Sequence, residues 1–316
     1  APAGHEIVCR QLTLNDNMLG AVVRKAGKGS LKVSENGNEL IVSGKRFSAV
    51  WNRLTGNLTG LSYGGKKILE GSYFQAFRAP TDNDKSFGNW IAKDWTKNRI
   101  DSPAVACESF AWADENGTVK VKSVQRYQYV SGAISVESDY TVYGDGTVDL
   151  TQTYKRQGEL PELPRLGSVF VADGSLDNIS WFGYGPMETY PDRHEAARIG
   201  RWNRKSGDMY THYPRPQDSG NIESVAEMSI TDKSGRGLRV TAIDDLISAS
   251  ALPFSVNDIA AVSHDCDLRD SGKIYLNLDA AVLGLGNSSC GPGVLKKYSI
   301  APDPHTLKVR FSPVKF

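Results

Sequence analysis

The densest chemistry in the sequence lies between Trp181 and Arg193. There Glu188, Tyr190, Asp192 and Arg193 set two carboxylates, a phenol and a guanidinium at close spacing. Gly183, Gly185 and Pro186 precede them, break the strand pattern and turn the backbone. Two further segments have the same character: residues 77–84, with Arg78, Asp82, Asn83 and Asp84, and residues 213–221, with Gln217 and Asn221. Polar, proline-braced loops of this kind are expected to converge. Their carboxylates, amides and guanidiniums suit a polyhydroxylated ligand or a buried interface. Glu188 with Asp192, or Asp82 with Asp84, would also supply the two facing carboxylates that glycoside hydrolysis usually needs.

Each group also has a plainer structural reading. Because each loop carries its own arginine, Arg78 and Arg193 are expected to pair with these acids and brace the loops before they contact any ligand. Trp51 and Trp112 sit in strand-like runs and are expected in the core; Trp90, Trp95 and Trp181 adjoin the polar loops and are the candidate sugar platforms. His264-Asp265-Cys266 with Cys290 lacks the further ligands of a metal site, and nothing in the sequence orients a Cys/His nucleophile pair. Cys9, Cys107, Cys266 and Cys290 have no CxxC spacing, so neither a disulfide framework nor a zinc ribbon is indicated, and the thiols are expected to be mostly buried. No metal or cofactor is expected.

The elements that must position these loops are strands. Period-two alternation marks residues 39–43, 47–51, 58–63, 118–129, 133–143, 147–156, 237–243, 273–281 and 306–311, with turn signals such as Gly64-Gly65 and Asn116-Gly117 between neighbours. Helix is scarce. Residues 88–95 have room for two turns, and Ser255 is an N-cap before an apolar face over 256–262. About fifteen or more strands exceed a comfortable open sheet and imply two large sheets packed face to face or a closed barrel, of which the two-sheet sandwich is the favoured expectation. Residues 5–14 also alternate but have no sheet of their own, and read as the last strand of a preceding domain.

Composition limits the partners. With 37 basic and 36 acidic residues in 316, no global field recruits nucleic acid or an anionic membrane. No apolar run approaches the roughly 20 residues of a membrane span. A soluble protein, cytoplasmic or periplasmic, with a charge-neutral partner is expected.

Phe77-Arg78-Ala79-Pro80-Thr81-Asp82-Asn83-Asp84, the stretch ending Gly185-Pro186-Met187-Glu188-Thr189-Tyr190-Pro191-Asp192-Arg193, Asp208-Met209-Tyr210-Thr211 and residues 213–220 together resemble the C-terminal small-chain domain of glycoside hydrolase family two β-galactosidases, in order and in spacing. The resemblance runs from about residue 31 to the end. It implies an all-β, galactose-mutarotase-like supersandwich over 29–316, with 1–28 the final strand of an immunoglobulin-like domain plus a linker. It also implies an absence: the catalytic glutamates of that family lie in a (β/α)₈ barrel, and nothing here has the alternating strand and helix of one.

The expected role is therefore non-catalytic: a wall of the pocket of a retaining β-galactosidase, with a galactoside or oligosaccharide and the catalytic barrel as partners and homo-oligomerisation in the full enzyme. The pocket-wall candidates are Arg78, Asp82, Asn83, Asp84, Glu188, Tyr190, Asp192, Arg193, Gln217, Asn221 and Cys290. Cys290 stands where well-known members of the family carry a tryptophan that stacks on the aglycone, in a 284–292 loop whose glycines and serines suggest flexibility. Two other functions stay open: a free-standing carbohydrate-binding module, and an aldose-1-epimerase-like isomerase using His194 or His212 with a carboxylate.

Overall fold

The computed structural model describes the chain except residues 1, 6, 13, 15, 16, 21–26, 88–90 and 303. Its described residues form two sheets of nine strands each. The first runs, in spatial order, β1 (Lys32–Asn36), β2 (Glu39–Gly44), β3 (Phe47–Asn52), β4 (Leu58–Tyr63), β5 (Lys66–Gln75), β10 (Arg165–Asp173), β17 (Lys273–Val282), β16 (Ile247–Leu252) and β13 (Ile222–Val225). The second runs β12 (Arg198–Lys205), β11 (Asn178–Gly185), β14 (Glu227–Thr231), β15 (Gly237–Ala242), β18 (His305–Val314), β9 (Val148–Gly158), β8 (Gly132–Val142), β7 (Thr118–Gln128) and β6 (Ala104–Glu115). The two-sheet sandwich expected from the strand count is what the chain forms.

Local chemistry accounts for the meander of β1 to β5. In β3, Phe47, Ala49 and Trp51 are buried while Ser48, Val50 and Asn52 are only partly covered, so one face turns inward. Gly64 and Gly65, at φ +57° and +80°, close the β4–β5 hairpin; Asn116 and Gly117, at +54° and +82°, close β6–β7. Both central residues of such a turn need positive φ, which these residues tolerate. Between the sheets the aromatics interlock: Trp51 meets Tyr140 edge-on at 5.3 Å, and Phe170 of β10 packs on Phe311 of β18 at 4.9 Å.

The helices are short: α1 (Asp82–Lys85), α2 (Ile91–Asn98), α3 (Ser206–Met209) and α4 (Val256–Ala261). Ser255 caps α4 as expected, in a reciprocal capping box with Asp258. Three expectations change. The described part of 5–14 carries no strand; instead Gln11 uses its side-chain amide on the edge strand β12, donating to the Ile199 carbonyl at 2.6 Å and accepting from the Ile199 amide at 2.7 Å. Trp112 is not core: it lies on the edge strand β6, 38% exposed, and donates to Glu35. Nor are the thiols mostly buried, since Cys9, Cys266 and Cys290 are exposed and Cys107 is half-buried.

Candidate functional site

The loops that follow β5, β11 and β17, together with the segment before β13, meet as expected. Strand order explains two of them. β5 and β17 both pair antiparallel with β10, so they run parallel to each other and deliver their C-terminal loops to the same end of the sheet.

Arg78 holds the centre. Its Nε and Nη2 donate to the two carboxylate oxygens of Asp84 at 3.0 and 2.6 Å, and its Nη1 and Nη2 donate to the carbonyls of Leu283 and Gly284 at 2.8 and 3.1 Å. Asp84 also accepts from the backbone and hydroxyl of Thr81, which caps α1 in return. Four of the five guanidinium N–H groups are thereby engaged, and neither side chain reaches solvent.

Asn83 and Asp192 hold the 284–292 loop. Asp192 accepts the amides of Leu285 and Gly286 at 2.8 and 2.7 Å, one on each oxygen. Asn83 donates to the Gly286 carbonyl at 2.6 Å and accepts from the Ser289 amide at 3.1 Å, while Ser86 bonds the Ser288 carbonyl. Glycine is required twice here. Gly286 sits at φ +63°, and a Cβ on Gly284 would lie 2.7 Å from the Asp192 carboxylate. The loop expected to be flexible is thus tied by four side chains.

Glu188 accepts from Tyr213 at 2.9 Å and from the Gly220 amide at 2.8 Å, and pairs with Arg193 at 3.0 Å. Tyr190 donates to Asp218 at 2.8 Å, and its burial, with Asp218 and Glu188 nearby, drives the phenol well above its ordinary pKa. Asn221 donates to Thr189 and Glu223; Gln217 donates to Asp82 and accepts from the Asp82 amide. Beneath these, Arg165 lies 3.6 Å from Asp218 and 3.9 Å from Asp279.

Several candidates therefore need correction. Arg78, Asp84, Tyr190, Gln217 and Asn221 are buried and committed to one another or to backbone, so they support the site without facing a ligand. Arg193 pairs with Glu188 but stays half-exposed, and Asp192 holds loop amides rather than an arginine. Glu188 and Asp82 are each engaged by neighbours, and Cys290 is exposed at the end of the tied loop, where its amide bonds the Asn287 carbonyl. Trp95 and Trp181 are buried with their indole N–H groups on the carbonyls of Glu162 and Tyr184, so neither is a platform; Trp90 lies outside the described residues. His194 stacks on Tyr184 and His212 bonds Asp265, so neither is paired with an acid in the knot. No cluster of metal-ligating side chains occurs among the described residues.

Of the candidates, Asn83, Asp192 and Arg193 face a common cleft. With Leu285, Asn287 and Tyr298 they line its volume of about 420 Å³. Sequence reasoning missed Arg165, Asp218 and Asp279. For two of them a signal existed: a lone charge inside an otherwise apolar strand, Arg165 at the head of 165–172 and Asp279 within 274–282.

A two-sheet sandwich with its loops knotted by buried ion pairs defines an all-β domain. The chain matches the family described as beta galactosidase small chain over residues 43–312 and belongs to it. It is 29% identical to the β-galactosidase of Halalkalibacterium halodurans over 96% of this chain and 30% of that protein. It is also 29% identical to those of Streptococcus thermophilus, over 90% and 27%, and Kluyveromyces lactis, over 94% and 29%. The chain spans about 30% of the length of these relatives. Among solved structures it is similar to galactose 1-epimerase from Lactobacillus acidophilus, with TM-score 0.46 and 10% identity over 90% of this chain and 98% of that one. No helix of the described residues is long and apolar enough to cross a membrane.

Proposed function

We propose that this chain is the non-catalytic C-terminal part of a retaining β-galactosidase, whose hydrolytic glutamates reside in a (β/α)₈ domain of a longer polypeptide. Residues 29–316 form the small-chain sandwich, and residues 1–28 lead in from a preceding immunoglobulin-like domain. The loop knot completes a wall of the active-site pocket, presenting Asn83, Asp192, Arg193 and the loop that ends at Cys290 towards carbohydrate. The observation that carries this reading is that a family match covering 43–312 accounts for less than a third of each relative's length. The tying of the 284–292 loop adds to it: a wall that contacts substrate must hold its shape when substrate arrives, and fixed hydrogen bonds remove the entropic cost of ordering it then.

The test is turnover of an aryl β-galactoside. The purified chain should show none, and a polypeptide joining it to its barrel should be active. Turnover by the chain alone, abolished by one carboxylate substitution within it, would overturn the reading.

A further inference from the structure

We propose that a second cleft, between the end of β5 and the start of β6, binds a neutral pyranoside. It encloses about 440 Å³, within the range of small-molecule sites, and shares no lining residue with the cleft at Arg193.

Charge selects the ligand class. Asp101 is the one acidic residue in the lining, and with no lysine, arginine or histidine there a phosphate or carboxylate would find no counter-charge and would lose hydration without compensation. The walls are apolar, with Phe74, Ile100 and Val105 among them, and Val105 is 52% exposed. Such walls favour the C–H faces of a sugar ring over a fully polar solute.

The polar groups are the decisive feature. Tyr129 is only 5% exposed, yet its hydroxyl has no hydrogen-bond partner among the described residues, and the half-buried Tyr73 is in the same position. Among the other buried tyrosines, Tyr63 donates to the Gly146 carbonyl, Tyr154 to Gln152 and Tyr190 to Asp218, while the Tyr210 hydroxyl, outside this cleft, is also unpaired. Tyr127, on the wall of the same cleft, accepts from the Phe74 amide. Neither hydroxyl oxygen is itself enclosed, so each can be paired by solvent or by a ligand that displaces it. Burial raises Tyr73 to about 12 and Tyr129 beyond that, so both remain neutral donors and acceptors at neutral pH. Asn257, exposed in the first turn of α4, adds an amide at the cleft. Two phenols and an amide over apolar walls match the alternating O–H and C–H surface of a pyranoside.

Titration calorimetry and saturation-transfer NMR with methyl β-galactopyranoside and lactose test the site on this chain. Saturable binding is expected, with Kd on the order of 1 mM. Tyr129→Phe and Tyr73→Phe, which keep the rings, should each weaken it roughly three- to tenfold. Lys122→Ala, exposed on β7 and in neither cleft, should leave it unchanged, and glucuronate should not compete. If Tyr129→Phe lowers the melting point, Asn257→Ala on the exposed helix turn replaces it. The proposal is overturned by absence of saturable binding, by binding indifferent to the tyrosine variants, or by binding lost in Arg193→Ala, beside the other cleft, but kept in the tyrosine variants. The last result would move the sugar to the loop knot and leave the proposed wall function standing.

Discussion

Arg78 and Asp84, six residues apart, are joined by two hydrogen bonds of 2.6 and 3.0 Å where neither side chain meets solvent. Removing one partner leaves the other's charge buried, and that penalty dominates over the pair's own attraction. Arg78→Ala and Asp84→Ala are each expected to cost about 3 kcal/mol or more. The double variant should cost less than the sum of the two. Urea midpoints of the three variants check this; strict additivity would show that the two charges do not depend on each other.

Arg193 should behave differently. Its pairing with Glu188 was legible as a brace, and a buried brace would cost as much as Arg78. Its side chain is 53% exposed, however, and Glu188 keeps its bonds from Tyr213 and Gly220 when the guanidinium is removed. Arg193→Ala should therefore shift stability by no more than about 1 kcal/mol. Thermal melts of this variant beside Arg78→Ala decide it: equal losses would mean that Arg193 is as buried in solution as Arg78.

The difference between these two arginines was beyond the sequence for a physical reason. Both lie next to acids in proline-braced loops, and local spacing says that a charge is paired without saying how many atoms cover it. Strands were legible where one face meets the core, as in β3 and β7, because alternation survives there. β16, buried at every position, and β10, buried at nearly every one, lose the alternation; β6, exposed along most of its length, does not use it. Trp112 was misassigned for the same reason: a hydrophobic residue in a strand says nothing about whether the strand is an edge. The glycines and serines of 284–292 suggested mobility because the groups that tie them, Asp192, Asn83, Ser86 and Arg78, come from elsewhere in the chain.

Asp279 should make stability depend on pH. Both of its carboxylate oxygens lack a hydrogen-bond partner among the described residues, and Arg165 is 3.9 Å away. Burial raises its pKa to about 7 from an ordinary 3.8, with Asp218 and Glu223 adding to the rise and Arg165 opposing it. Between those values the folded chain holds a proton that the unfolded chain has released. The stabilising contribution is thus complete below about pH 4 and is lost as pH rises through about 7, a loss of roughly 4 kcal/mol at about 1.4 per pKa unit. Asp279→Asn keeps the neutral shape and removes the titration. Denaturant midpoints at about pH 5 and pH 8 should differ less in the variant than in the parent. An equal difference in both would assign the slope to other groups.

Asp192 offers the sharpest test of the tied loop, because its two oxygens serve two consecutive amides. In Asp192→Asn one oxygen becomes an NH₂ that faces another N–H donor, so one bond is lost and a repulsion replaces it. The remaining ties, from Asn83, Ser86 and Arg78, hold the neighbouring carbonyls and the Ser289 amide, so the fold should persist. Local opening of residues 285–286 should become easier by about 1 to 2 kcal/mol, the value of one charge-assisted hydrogen bond. That corresponds to roughly tenfold faster amide exchange at Leu285 and Gly286, with amides of the central strand β10 little affected. Hydrogen exchange read residue by residue distinguishes the outcomes. Unchanged exchange at those two amides would mean that Asn83 and Arg78 suffice to fix the loop. Faster exchange throughout β10 would mean that Asp192 supports the whole sandwich rather than the loop.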